Sequence, residues 1–273
     1  MFNKVWSDAA GTWIELPDGQ RHASYPDLEK GQRGPTPVPS WLPVSDGMID
    51  TEYGVLKTGK EADVHLIERS DGTRSCLLAA KRYRTTEHRD FRRSAVYTAG
   101  RVERRSRDQR AIEKRTVYGA SVAAGQWAGA EWQMLCRLWE AGAPVPYPVQ
   151  VDGTEILMEY VADPDEPLAA APRLHAVRPD ARTLRVLWDQ LREAMMLLAR
   201  LGFAHGDLSP YNILVAGDRL VVIDLPQVVD IIANPFGTDL LQRDCVNVCT
   251  WFAGRGIAAD PDELLSELLA AAY

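Results

Sequence analysis

The stretch HGDLSPYNILV, residues 205 to 215, sets His205, Asp207 and Asn212 within eight residues, just ahead of an apolar strand from Ile213 to Val215. A turn, AGDR, follows, and a second apolar run, LVVID, ends on Asp224. Two short antiparallel strands joined this way would carry Asp207, Asn212 and Asp224 to one edge. Three oxygen-bearing side chains there suit a hard cation such as Mg2+, which is held by one or two protein groups plus substrate phosphates. On that chemistry Asn212 and Asp224 are the metal-ligand candidates, and Asp207 faces the nucleophile that accepts a phosphoryl group. The same residues also suit a plain hairpin, because Asp and Asn are turn formers. His205 is either a general base or a prop that holds the loop to the core, and the prop is favoured.

Two upstream residues weigh on the choice. Phosphoryl transfer needs cations against the phosphates, and Lys81 closes the apolar run CLLAAK, where burial penalises an ammonium without a partner. Glu131 lies among Trp127, Ala128, Ala130 and Trp132, a poor place for a solvated acid. It is the partner at hand.

These residues need elements to position them. With 273 residues, 46% of them apolar, the chain can hold two lobes of about 100 residues each and bury a real core. Residues 1 to 47 are rich in Pro and Gly and read as an extended arm with little helix, laid over the body by Trp41 and Leu42. GVLKTGKEADVHLIER predicts two strands around a polar loop, SCLLAAKRYR a third and TEILMEYV another. AGQWAGAEWQMLCRLWEAG predicts an amphipathic helix with Trp127, Trp132, Leu135, Leu138 and Trp139 on one buried face and Gly142 at its C-terminal cap. After about residue 162 the pattern turns helical: TLRVLWDQLREAMMLLARLG ends at Gly202, and further helices are expected over 237 to 254 and 261 to 272. The expected organisation is an arm (1–47), an N-terminal lobe (48–161) and a C-terminal lobe (162–273).

Charge is uneven. The net charge is -7, yet between Arg82 and Arg115 twelve Lys or Arg residues face five acids. Such a stretch takes nucleic acid or another acidic partner, or is a solvated insertion, and the solvated insertion is favoured. The four cysteines are scattered apart from CVNVC, whose spacing suits a helix face rather than a zinc site. The opening MFNKVWSDAAGTW lacks the pattern of a signal peptide, and no run of 18 apolar residues occurs. A cytoplasmic protein with no membrane partner is the expectation.

In order along the chain, a strand Lys, a helix Glu, a loop Asp with Asn five residues later, and a strand-end Asp follow the arrangement of protein kinases. The wider sequence resembles the RIO-type atypical serine/threonine protein kinases. The resemblance lies in LKTGKEADVHLIE (56–68), AAKRYR (79–84), WAGAEWQMLCRLWEAGAPVPYPV (127–149), ILMEYV (156–161), APRL (171–174), HGDLSPYNILV, VVIDLPQVV (221–229) and RDCVNVCTWF (243–252). TGKEADV stands where ordinary kinases have a G-x-G-x-x-G loop, IDLPQ replaces D-F-G, and no A-P-E follows. Pro226 departs from the small polar residue often found at that place in relatives.

The resemblance implies an α+β, bilobal protein-kinase-like fold. Its N-lobe would be an antiparallel β-sheet plus one helix and its C-lobe mainly helical, with no activation loop or substrate-binding helices. An arm of 47 residues is too short for a winged helix, which implies the branch lacking that module. ATP and Mg2+, or Mn2+ in its place, are the implied cofactors. Lys81 would contact the ATP phosphates with Glu131 orienting it, Asp207 would be the catalytic aspartate, and Asn212 and Asp224 would hold the metal. Asp224 would also be the site of a transient aspartyl-phosphate. Thr58, Gly59, Lys60 and Glu61 would cover the phosphates. Met158 would guard the back of the adenine pocket, with the Glu159 carbonyl and Val161 amide pairing with the base.

The basic stretch, centred on 85–115, corresponds to the family's flexible loop. Three functions fit. One is a serine/threonine protein kinase acting mainly on itself, and another is an ATPase switch in ribosome-related assembly, with residues 82–115 meeting a ribosomal or RNA-containing partner. The third, a small-molecule phosphotransferase of the aminoglycoside or choline kinase type, is disfavoured by TGKEADV and APRL.

Overall fold

The computed structural model describes residues 4–7, 12–84 and 117–273. The basic stretch from 85 to 115, with the reading placed on it, lies outside them. The chain divides into two units, one of residues 1–85, 124–132 and 147–160, the other of 86–123, 133–146 and 161–273.

The first unit begins with a small hairpin, β1 (Lys4–Ser7) with β2 (Thr12–Glu15). Its main body is a six-stranded antiparallel sheet. The strands are β3 (Gln20–His22), β4 (Ile49–Thr58), β5 (Ala62–Ser70), β6 (Ser75–Tyr83), β7 (Pro148–Asp152) and β8 (Glu155–Glu159), in the order β3-β4-β5-β6-β8-β7. The two strands expected around TGKE are β4 and β5, and the third is β6. The turn between β5 and β6 is fixed locally: the Asp71 carboxylate accepts from the Thr73 and Arg74 amides at 2.9 and 2.8 Å, and Gly72 takes the positive φ. The centre of the sheet is buried on both faces, with Ile67, Leu78, Ala80 and Leu157 on one and Leu66 and Ile156 on the other.

A buried charge cluster ties this sheet together. Arg69, fully buried, donates to both Asp50 oxygens at 2.7 and 2.9 Å and to Gln150 at 2.9 Å. Each buried ion needs such partners to offset its lost hydration. Arm residues close the cluster, since Gln150 donates to Ser24 at 2.9 Å and the Arg69 guanidinium lies 5.9 Å from the Tyr25 ring centre.

The arm is therefore built in. β3 pairs with β4 and forms an edge of the sheet. At the other edge the Gly34 amide donates to the Val149 carbonyl at 3.0 Å, and a Cβ on Gly34 would lie 1.9 Å from the Pro148 carbonyl oxygen. Only glycine fits that approach. Gly34→Ala is accordingly expected to cost about 1–3 kcal/mol of stability, read by urea denaturation, and an unchanged midpoint would show that the arm is not seated this way. Leu42 is buried as expected, whereas Trp41 stays 38% exposed and only meets Tyr147 edge-on.

Helix α1 (Val117–Glu140) contributes to both units. Its buried side runs through Ala124, Ala128, Glu131, Trp132, Leu135 and Leu138, at helical spacing. Trp127 and Trp139 are half-buried, which corrects the expected face: each flanks the stripe by one position.

Among the described residues the second unit carries three more α-helices: α2 (Ala181–Arg200), α3 (Gly237–Ala253) and α4 (Pro261–Ala272). Asp180 caps α2 by accepting from the Thr183 amide at 2.7 Å, and Gly202, with φ 82°, follows its end. Asp260 and Pro261 start α4 in the same manner. β10 (Ile213–Ala216) and β11 (Arg219–Val222) form an antiparallel hairpin, and the two-residue strands β9 (Phe203–Ala204) and β12 (Val229–Asp230) pair beside it in sequence. No helix among the described residues is long and apolar enough to cross a membrane.

Candidate active site

In the first unit the site is built on β6. Lys81 pairs with Val64 on one side and Ile156 on the other, well inside the sheet. Its ammonium donates to Glu131 Oε1 at 2.7 Å, and the pair is largely buried on both sides. The Tyr83 hydroxyl donates to the other oxygen of Glu131, and Lys81 Nζ lies 5.4 Å from the Tyr83 ring centre. A charge on an apolar strand and a charge on an apolar helix thus neutralise each other.

Thr58 ends β4, and the loop between β4 and β5 holds Lys60 and Glu61; all three are exposed. Gly59 makes its turn: its amide donates to the Ala62 carbonyl at 3.0 Å, and a Cβ there would lie 2.7 Å from that same oxygen. On β8, Met158 pairs with Ala79 and Glu159 with Leu78. The Glu159 carboxylate accepts from the Tyr147 amide at 3.0 Å. Val161 opens the next stretch of the second unit, its carbonyl accepting from Ala171 at 2.9 Å.

In the second unit the loop from 205 to 212 brings Asp207 and Asn212 together. Asn212 is buried and donates through Nδ2 to the Asp207 carbonyl at 2.9 Å and toward its carboxylate at 3.4 Å. That orientation makes Oδ1 the acceptor end of the amide. The Ile223 amide donates to the Asn212 carbonyl at 3.0 Å, which extends the β10–β11 ladder and sets Asp224 one residue beyond it. β11 itself stops at Val222, so Asp224 is not the last strand residue that the sequence pattern predicts. It stands at φ 70°, ψ 63°, the one non-glycine with positive φ among the described residues, before a short 3-10 turn from Leu225 to Gln227.

No cluster of three or more His, Cys, Asp or Glu able to hold a metal occurs among the described residues. An amide oxygen and carboxylates at a hairpin edge are hard donors, and Mg2+ asks for only one or two of them besides phosphate and water. The donor set therefore fits Mg2+.

His205 is buried and neutral by its hydrogen bonds: Nδ1 accepts from the Asp207 amide at 3.4 Å, so Nε2 carries the proton and donates to the Ile223 carbonyl at 3.1 Å. Burial pushes its pKa down, against the pull of that carbonyl, Asp224 and Asp207. These contacts are those of a prop.

Three residues to which the sequence assigns no role, Asp244, Arg243 and Asn247, hold the loop from helix α3. The buried Asp244 accepts from the Gly206 and Leu208 amides, both at 2.7 Å, on either side of Asp207. Arg243 donates to the Gly206 carbonyl and lies 3.8 Å from the Asp207 carboxylate, and Asn247 donates to the Leu208 carbonyl at 3.0 Å. An acid set among Leu240, Leu241, Cys245 and Val248 was the available signal, the same one that marks Glu131.

Burial pushes the Asp244 carboxyl up to about 7, against the two amides and Arg243 that pull it down. A carboxyl raised by folding favours its protonated form, so its stabilising contribution is full below the ordinary carboxylate range and is lost as pH rises toward 7. Compared with Asp244→Asn, the parent should lose stability between pH 4 and pH 7 in denaturant titrations. Parallel pH profiles for the two proteins would refute the shift.

A fold with a paired strand lysine in one unit and an Asp/Asn loop before a β-hairpin in the other is α+β and protein-kinase-like. The Rio2 kinase–ADP/Mg2+–phosphoaspartate complex from Chaetomium thermophilum shares that fold, with a TM-score of 0.53 and 21% identity over 81% of this chain and 65% of that one. Residues 63–264 match the RIO domain family. The RIO-type serine/threonine-protein kinase Rio1 of Haloferax volcanii is 36% identical over 223 residues, 81% of this chain and 70% of that protein. Serine/threonine-protein kinase RIO3 of Caenorhabditis elegans is 30% identical over 218 residues, and Serine/threonine-protein kinase RIO1 of Chaetomium thermophilum 30% over 223. The chain belongs to the RIO family of serine/threonine protein kinases. It spans 39% and 41% of the length of those two eukaryotic relatives.

Proposed function

We propose that the chain transfers the γ-phosphoryl group of ATP, taken up with Mg2+, to serine or threonine hydroxyls of proteins, its own included. The observation that carries the reading is the buried Lys81–Glu131 pair at 2.7 Å. A sheet lysine kept charged in an apolar setting is suited to the ATP phosphates, and Glu131 fixes its direction. Thr58, Gly59, Lys60 and Glu61 would cover the phosphates, and Met158, Glu159 and Val161 would meet the adenine.

Asn212 and Asp224 would hold Mg2+, which when bound offsets charge on the phosphates. Asp207, tethered by Asn212 and half-exposed, would accept the proton of the attacking hydroxyl. Helix α3 would keep that loop in place through Asp244 and Arg243. A cytoplasmic setting goes with ATP use, and a ribosomal or RNA-containing partner is assigned to the basic stretch 82–115. Deleting 85–115 should then abolish binding to ribosomal particles, and retained binding would refute the assignment.

One observation favours a second reading. Asp224 is held in a left-handed conformation at the hairpin edge, which suits a carboxylate that itself takes the phosphoryl group and yields it to water. Incubation with γ-labelled ATP and Mg2+ separates the two. Acid-stable label on Ser or Thr supports the kinase. Hydroxylamine-labile label with steady phosphate release supports the ATPase switch.

A further inference from the structure

We infer that the N-terminal arm is a working part of the phosphate site: Gly31, through Trp132, acts with Tyr83 to fix the Glu131 carboxylate that holds Lys81. The inference rests on the reading of Lys81 as the phosphate contact, and it makes Tyr83 and Trp132 positioning residues.

The carboxylate comes first. A Glu side chain turns easily about its last torsion, so one hydrogen bond leaves the group free to swing. Here each oxygen is bonded, Oε1 to the Lys81 ammonium and Oε2 to the Tyr83 hydroxyl. Tyr83 follows Lys81 by two residues on β6, hence on the same face of the sheet. The strand therefore grips the carboxylate with one residue and presents it with the other.

The helix comes next. Trp132 adjoins Glu131, is 4% exposed, and donates through Nε1 to the Gly31 carbonyl of the arm at 3.0 Å. A buried indole N–H needs such an acceptor. Gly31 does not float. It sits between Glu29 and Gln32, whose side chains and backbones bond reciprocally, and three residues on, Gly34 is locked against β7 with no room for a side chain. Arg33 adds a bond to the Pro26 carbonyl at 2.6 Å. The arm from 29 to 34 thus runs as a strut between helix α1 and the edge of the sheet. It sets where Glu131 stands, while Tyr83 sets how its carboxylate is turned.

Titration calorimetry of the full chain with Mg2+ and a non-hydrolysable ATP analogue tests this. Tyr83→Phe and Trp132→Phe should each weaken binding about three- to tenfold, the range for loss of one net hydrogen bond. In a Lys81→Ala background neither should weaken it further, because residues that act through one contact are not additive. Tyr83→Phe keeps the ring and its packing, so it remains informative even where Trp132→Phe lowers the melting temperature. Equal losses with and without Lys81 would mean that the two residues merely stabilise the fold, and the inference would fail. It would also fail if Tyr83→Phe bound as the parent does while Lys81→Ala bound weakly. Unweakened binding by Lys81→Ala alone would instead remove the reading of Lys81 as the phosphate contact.

Discussion

Asp207→Asn should lower phosphoryl transfer by about 10²- to 10⁴-fold, the usual contribution of a positioned base, while nucleotide affinity stays near that of the parent. The side chain is 57% exposed, with only a long contact from Asn212 and a 3.8 Å approach from Arg243, so the fold loses little when its charge is removed. The loop around it is held elsewhere, by Asp244 on the flanking amides and by Asn247. An amide has nearly the shape of the carboxylate but cannot take a proton from a hydroxyl. Transfer of label from γ-labelled ATP, measured beside nucleotide titration, decides the matter. Full activity in the variant would remove Asp207 from the chemistry.

Lys81→Ala should fail in two ways at once. Removing one member of a buried ion pair leaves the other charge uncompensated, at about 3–5 kcal/mol. Tyr83 still donates to Glu131, which puts the expected loss at the lower end of that range. Activity should fall with it. A second variant separates the two effects: with Lys81→Met and Glu131→Leu together, both charges are gone and the volume is roughly kept, so stability should largely return while phosphoryl transfer does not. Urea denaturation and the labelled-ATP assay read the two quantities independently. Should the double variant regain activity, the pair would be structural only.

Part of this site was legible because misplaced charge shows in a sequence. Lys81 on an apolar strand and Glu131 on an apolar helix each looked wrong alone, and the fold brings them to 2.7 Å. The helices were readable from local period: 261 to 272 matches α4 as it stands, and 237 to 254 overruns α3 by one residue. Long-range pairing left no such trace. β3 is three residues, QRH, too short for alternation, and β7, PVQVD, opens on a proline and is buried on both faces. Their partners are set by the sheet rather than by their own pattern. Asp244 carries the same mark as Glu131, an acid among apolar helix residues, but nothing local in RDCVNVCTWF shows that its carboxylate meets amides 36 and 38 residues away. Nor does any local pattern announce that Asp224 leaves the strand, since a left-handed residue after VVI reads as one more strand position.

That left-handed residue also decides which inactive form of the protein makes a sound control. At φ 70° alanine is strained by roughly 1–2 kcal/mol, whereas asparagine visits this conformation readily. Asp224→Ala would mix a lost carboxylate with a disturbed turn, and a silent result from it would say little. Asp224→Asn removes the charge and leaves the backbone as it was.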